Sequence, residues 1–99
     1  MSTHRINGID LSDWNSFHEV FSKEFEFPDY YGRNMDAWID CMSDLGEEGE
    51  MISIILDNVS ALKKNNREIY NALIECSAFV NYRCTEEGAS PMIALAFHE

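Results

Sequence analysis

The sequence predicts a small α/β domain in which a three-stranded parallel sheet packs against about four helices. The chain has 99 residues, of which 45% are hydrophobic, so it can build one core but not two. Three short apolar segments predict strands, and residues with helical periodicity occupy the intervals between them. Because parallel strands need crossover connections, this alternation predicts a parallel sheet. We therefore expect one domain over residues 1–99.

The first quarter of the chain predicts one strand and one helix. His4–Asn7 is a short strand that ends at Gly8. Ser12 is predicted to cap the first helix, whose apolar residues recur at three- and four-residue intervals as far as Phe25. Pro28 cannot continue this helix, so a loop follows.

A second helix is predicted after Asn34, with two opposed faces. Asn34 can cap it, because its side-chain oxygen can accept a hydrogen bond from a free backbone N–H of the first turn. Asp36 and Asp40 are four residues apart, so two like charges lie side by side. Their repulsion destabilises an isolated helix by roughly a few tenths of a kcal/mol. A solvated acidic face would explain the pair, and a binding role is the alternative. The apolar arc contains Met35, Trp38, Ile39, Met42 and Leu45, and the polar arc contains Asp36, Asp40, Ser43 and Asp44.

The second half of the chain predicts two more strands and two more helices. After a turn, the apolar segment Met51–Leu56 predicts a strand buried on both faces, as in many parallel sheets. Ser60 is predicted to cap a short third helix. The longest helix carries one apolar stripe that includes Phe79. These predicted elements are the turn at 46–50, the strand at 51–56, the helices at 59–64 and 67–82, and the strand at 92–97.

The composition argues against several kinds of partner. Eighteen acidic and seven basic residues give a net charge of -11, which repels nucleic acid and anionic membranes and attracts a basic protein. Cys41, Cys76 and Cys84 match neither a metal-binding spacing nor a disulfide pattern, so reduced cysteines in a cytoplasmic protein are expected. No signal-peptide pattern follows the N-terminus, and no apolar segment approaches the ~20 residues that span a bilayer.

An enzymatic function is the alternative that the residues disfavour. Asp36 and Asp40 could hold a divalent metal or divide acid and base roles, but an exposed helix face lacks the buried environment that such pairs need. His18 is expected to be packed or half-exposed on the first helix. The five glycines are scattered and form no phosphate-binding loop. We therefore expect no catalytic residue, no metal and no cofactor.

The loop and the second helix together resemble the signature of the barstar family, small intracellular inhibitors of a secreted ribonuclease. Residues 27–41 read Phe-Pro-Asp-Tyr-Tyr-Gly-Arg-Asn-Met-Asp-Ala-Trp-Ile-Asp-Cys. The shared pattern is proline, acid, Tyr-Tyr-Gly, any residue, Asn, an apolar residue, Asp-Ala, two apolar or aromatic residues, and Asp-Cys. The residues 6–8 also resemble the family's start, whereas the second half matches only by pattern. The resemblance implies a barstar-like three-stranded sheet with helices packed against it.

The resemblance also implies a function that needs no catalysis. In this family the second helix and the loop before it plug a ribonuclease active site, and carboxylates take the place of substrate phosphate. By motif position, Asp40 would be the central anion with Asp36 beside it, and Tyr30 would lie against the catalytic histidine region. Gly32 and Asn34 would supply close contacts. The implied partner-binding residues are Tyr30, Gly32, Asn34, Asp36, Ile39, Asp40, Ser43, Asp44 and Glu68, and the implied partner is a basic nuclease, expected to be a barnase-like ribonuclease.

The chain departs from the family pattern at three positions. Ile39 stands where barstar has an aromatic residue, Arg33 replaces an acid in the contact loop, and Asp44 adds a charge in place of a small residue. Glu68 is the nearest match to a further family acid on the long late helix. These departures leave the target open. The alternative is an acidic immunity, antitoxin or regulatory module that binds a different basic nuclease, toxin or other basic protein. With either function, we expect a monomer or weak dimer.

Overall fold

The computed structural model describes residues 2–45 and 51–99. Within these residues, a parallel sheet with the strand order β1-β2-β3 packs against four α-helices, which confirms the predicted fold class. The predicted turn at 46–50 lies outside the described residues. The strands are β1 (Ser2–Asn7), β2 (Ile52–Asp57) and β3 (Ile93–Phe97); the helices are α1 (Trp14–Glu24), α2 (Met35–Leu45), α3 (Val59–Asn65) and α4 (Arg67–Glu86), with a short 3-10 helix at Gly8–Asp10.

The central strand β2 is fully buried on only one face, which corrects the prediction of burial on both. Its residues alternate between buried and half-buried, as Ile54 and Ile55 show. Arg5 and Ala96, which pair with Ile55 on the two flanking strands, are exposed. Paired residues of neighbouring strands share a face of the sheet. The apolar segment therefore has one face in the core and one that is only partly covered. Few polar residues distinguish these two faces in the sequence.

Two helix caps differ from the sequence predictions. Asp13, and not Ser12, caps α1, because its carboxylate accepts a hydrogen bond of 2.7 Å from the backbone N–H three residues later. Asn58 precedes α3 in the left-handed conformation, with φ of 54°, and makes no side-chain cap. Ser60 lies inside α3 and its hydroxyl donates to Glu99 Oε1 at 2.5 Å. Both predicted serine caps were therefore wrong by one or two residues.

The core joins the sheet to the apolar faces of the helices. Phe17 and Phe21 of α1 meet Trp38 of α2, and the rings of Phe21 and Trp38 pack edge to face with centroids 5.6 Å apart. All three side chains have no exposed surface. This aromatic cluster fixes the rotation of α2 about its own axis, because Trp38 can reach the core from only one side of the helix.

The apolar stripe of α4 is narrower than predicted. Ile69, Leu73, Ser77 and Val80 are buried, but Phe79 keeps 48% of its surface exposed. Phe79 lies one residue from Val80, or about 100° around the helix, and so points away from the core. The helix also runs four residues further than the predicted end at Tyr82.

None of the helices in residues 2–45 and 51–99 is long and apolar enough to cross a membrane. The same residues contain no group of three or more His, Cys, Asp or Glu side chains placed to hold a metal ion.

Candidate protein-binding site

Helix α2 is held in place at its start and along its inner face. Asn34 Oδ1 accepts a hydrogen bond of 2.8 Å from the backbone N–H of Ala37, which confirms the predicted cap. Trp38 and Met42 on the inner face are completely buried. A helix fixed at both its cap and its core presents its remaining side chains in defined positions.

The outer face of α2 carries the predicted acidic residues. Asp36, Asp40 and Asp44 are exposed, whereas Ile39 and Ser43 are half-buried at the edge of this face. The Ser43 hydroxyl donates to the carbonyl oxygen of Ile39 at 2.7 Å, one turn earlier. Ser43 is therefore already hydrogen-bonded within its own helix. The three carboxylates recur every four residues, so they form a row along one side of the helix.

The two tyrosines of the loop before α2 have opposite environments. Tyr31 is buried, its backbone N–H donates to the carbonyl oxygen of Pro28 at 2.9 Å, and its hydroxyl is hydrogen-bonded to His18 Nδ1 at 2.6 Å. The ring of Phe27 packs against the ring of Tyr31 with centroids 4.7 Å apart. Tyr30, by contrast, keeps 85% of its surface exposed. Tyr31 thus anchors the loop and leaves Tyr30 facing outward.

Burial keeps the Tyr31–His18 pair uncharged. Burial raises the pKa of the Tyr31 hydroxyl, and it lowers the pKa of His18, which the nearby charge of Arg33 lowers further. His18 was expected to be packed or half-exposed, and the structure makes it a buried partner of the loop. The position of His18 at the edge of the apolar stripe of α1 indicated its burial. Its hydrogen bond to Tyr31, thirteen residues later, could not be predicted from that pattern.

Arg33, the basic residue in the predicted contact loop, is folded back onto α1. Its guanidinium donates to the Asn15 carbonyl oxygen at 3.1 Å and to Asn15 Oδ1 at 2.8 Å. It also pairs with Glu19 at 3.4 Å. The backbone of Arg33 adopts the left-handed region, with φ of 53°, which turns the chain into α2. The positive charge that departs from the family pattern is therefore partly compensated by α1.

Gly32 allows a close approach between the loop and the start of α2. A Cβ atom at Gly32 would lie 3.3 Å from Asn34 Nδ2 and 3.4 Å from the Ala37 methyl group. Asn34 Nδ2 also donates to the Gly32 carbonyl oxygen at 3.3 Å. Gly32 and Asn34 therefore have a clear structural role at the helix start, in addition to their predicted contacts with a partner.

The late acid predicted at Glu68 lies in the first turn of α4 and is linked to α1. Its carboxylate accepts a hydrogen bond of 3.4 Å from Trp14 Nε1. A second exposed acid of α4 was not singled out from the sequence. Burial raises the pKa of Cys76, and the charges of Glu75 and Asp36 raise it further. Glu75 is therefore close to the same half-buried thiol as Asp36, and it adds a carboxylate where α4 borders α2.

Asp40 is paired with a residue far along the chain. Asp40 Oδ1 and Arg83 Nη1 are 3.4 Å apart, and the side chains keep 72% and 44% of their surfaces exposed. The guanidinium carbon of Arg83 lies 6.0 Å from the centre of the Phe79 ring. The two partners of this ion pair are 43 positions apart, so no local sequence pattern indicates it.

An acidic helix and an exposed tyrosine on a small, fixed α/β scaffold are typical of a protein-binding domain. The chain belongs to the barstar family, because the family model described as "Barstar (barnase inhibitor)" matches residues 1–96. Barstar proteins are inhibitors and not enzymes.

One curated relative of Bacillus subtilis (strain 168) carries the name "Putative ribonuclease inhibitor YrdF". It is 42% identical to this chain over 38 residues, which are 38% of this chain and 42% of the relative. The chain thus spans about two fifths of the length of that relative.

Proposed function

We propose that this chain inhibits a ribonuclease of the barnase kind by placing the acidic face of α2 and the preceding loop in the enzyme's active site. One observation carries the proposal: the carboxylates of Asp36 and Asp40 are exposed on a helix that Trp38 and Met42, both completely buried, anchor from the opposite side. The helix backbone that carries these anions has a fixed position before any partner arrives. The family membership supports the inhibitory role, and the mechanism is our inference from the surface.

Charge gives this mechanism its physical basis. A ribonuclease active site is arranged to stabilise the negative charge of phosphate. A carboxylate on a preformed helix can enter such a site with little loss of conformational entropy. The net charge of -11 attracts a basic enzyme over a distance and raises the association rate at low ionic strength.

The remaining residues divide between direct contact and support. Tyr30 offers a large exposed ring on a loop that Tyr31 anchors, and aromatic residues of this kind often dominate binding energy. Asp44 extends the acidic row, whereas Ile39 and Ser43 supply its half-buried edge. An inhibitor of this kind protects the cell that makes the nuclease, which fits the predicted cytoplasmic location.

Glu68 belongs to the rim of the proposed surface and not to its centre. Its hydrogen bond to Trp14 ties it to α1, so it would meet the partner only where α4 and α1 border the loop.

Gly32 and Asn34 belong to the contact loop. They would allow close approach of the partner to the backbone at the start of α2.

The test is calorimetric titration of barnase with the wild-type chain, Asp40→Asn and Asp10→Asn. Asp40→Asn should weaken binding by about 2 kcal/mol or more, as expected for a central charged contact. Asp10 is also exposed but lies in the 3-10 helix after β1, so Asp10→Asn makes the same charge change elsewhere. Its affinity should remain within about 0.5 kcal/mol of wild type at moderate salt.

Equal effects of the two substitutions would contradict the proposed site, because they would mean that only the overall charge matters. No binding of barnase by the wild-type chain would contradict the proposed target. The same titration would then be repeated with other basic toxins, as the alternative of an acidic immunity module requires.

A further inference from the structure

The ion pair between Asp40 and Arg83 lies within the proposed binding surface. We propose that Arg83 is an internal counter-ion of Asp40 that competes with the partner's cationic groups, and that it thereby sets how basic a partner's site must be. This inference rests on the proposed function and concerns the selection of partners at the same surface.

Two contacts hold the Arg83 guanidinium beside Asp40. The carboxylate of Asp40 is 3.4 Å away on α2, and the ring of Phe79, one turn earlier on α4, is 6.0 Å from the guanidinium carbon. A guanidinium at this distance from an aromatic face is attracted to it. Helices α2 and α4 pack against each other, so the pair bridges two fixed elements.

The pair leaves Asp40 accessible. Asp40 keeps 72% of its side-chain surface, whereas Arg83 keeps 44%. A partner's cation can therefore approach the carboxylate while Arg83 remains on the α4 side. Arg33, the arginine of the contact loop, is instead tied to Asn15 and Glu19 of α1.

Competition follows from the like charges of Arg83 and the partner. A cationic active site that reaches Asp40 also meets the guanidinium of Arg83, which repels it. Because this repulsion cancels part of the attraction of Asp40, a partner's site must be more basic to reach the same affinity. Repulsive elements of this kind are a common source of specificity.

The ion pair is first tested in the free protein, by recording the Nε–Hε NMR resonance of Arg83. Asp40→Asn and Phe79→Leu should each shift this resonance, because each removes one of its two contacts. Asp44→Asn is the matched control, since it makes the same charge change one turn further along α2. An equal shift in Asp44→Asn, or no shift in Asp40→Asn, would overturn the proposal.

The competition is then measured by titrating barnase with the Arg83→Gln and Lys64→Gln variants at low salt. An exposed ion pair changes an equilibrium by about two- to fivefold, so Arg83→Gln should bind barnase about two- to fivefold more tightly than Lys64→Gln. Lys64 lies on α3, so it controls for the change in overall charge. Weaker binding by Arg83→Gln would mean that Arg83 contacts an acid of the partner, and equal binding would mean that no competition exists.

A failure of the proposed function can be told apart from a failure of this inference. If the wild-type chain does not bind barnase, the proposed target is wrong, and a hexa-arginine peptide serves as the cationic probe. Tighter binding of that peptide by Arg83→Gln than by Lys64→Gln supports the competition. Equal binding overturns it.

Discussion

The hydrogen bond between Tyr31 and His18 should stabilise both the fold and the contact loop. Tyr31→Phe keeps the buried ring but removes the hydroxyl that lies 2.6 Å from His18 Nδ1. Both residues are buried, with 8% and 5% of their surfaces exposed, so the imidazole nitrogen would lose its partner in an apolar environment. A buried polar group left without a hydrogen bond costs about 1–3 kcal/mol.

Urea and thermal denaturation measure this loss, with Tyr30→Phe as the matched control. For a domain of this size, each kcal/mol shifts the melting temperature by about 4–8 °C, so Tyr31→Phe should melt about 5–20 °C below wild type. Tyr30→Phe removes a hydroxyl from a side chain that is 85% exposed. Its free energy of unfolding should stay within about 0.5 kcal/mol of wild type.

Equal melting temperatures for the two variants would refute the reasoning, because the loop would then not depend on the Tyr31 hydroxyl. A large loss in Tyr30→Phe would refute it as well, since that tyrosine would have to be buried against the fold. Binding of barnase by Tyr31→Phe is measured below its melting temperature, so that loosening of the loop is separated from unfolding.

Two further predictions concern stability. Trp38→Ala should lower the free energy of unfolding by about 3–5 kcal/mol in urea, because it leaves a cavity beside Phe21, whereas Asp40→Asn should change it by less than about 1 kcal/mol. Trp38→Phe should cost less than Trp38→Ala, because the phenyl ring still fills part of the cavity; both changes remove a buried indole N–H that has no acceptor among the described residues. Stability should also fall as the pH drops below about 6.5, because burial lowers the folded-state pKa of His18 and the unfolded chain takes up the proton first. Urea midpoints at pH 7.5 and pH 5.5 measure this loss, which His18→Asn should reduce; an unchanged pH dependence in that variant would assign the loss to other groups.

The sequence was most informative where one short segment determines one element. The Asn34 cap, the burial of Trp38 and the exposure of Asp36 and Asp40 all follow from helical periodicity over about ten residues, and the structure confirms them. The cap of α1 was harder, because adjacent serine and aspartate residues are both good caps. Only the hydrogen bond made by Asp13 decides between them.

The sequence was least informative about contacts between distant segments. The partial exposure of Ile55 depends on its neighbours in the other two strands, which the pattern within β2 does not contain. Phe79 was misplaced because one residue changes the direction of a helical side chain by about 100°. Tyr31 is buried and Tyr30 is exposed because only Tyr31 bonds to His18, which lies on another element. The counter-ion of Asp40 likewise comes from the far end of α4.

The most direct test of an active-site plug is the mode in which the chain inhibits barnase. Ribonuclease activity is titrated with the wild-type chain at several concentrations of a small RNA substrate, at low and at moderate salt. The proposed mechanism predicts inhibition that is competitive with substrate, so the apparent inhibition constant should rise with substrate concentration. The inhibition should also be weaker at moderate salt and greatly reduced in Asp40→Asn. Inhibition that does not depend on substrate concentration would contradict it, because the acidic face of α2 would then bind outside the active site.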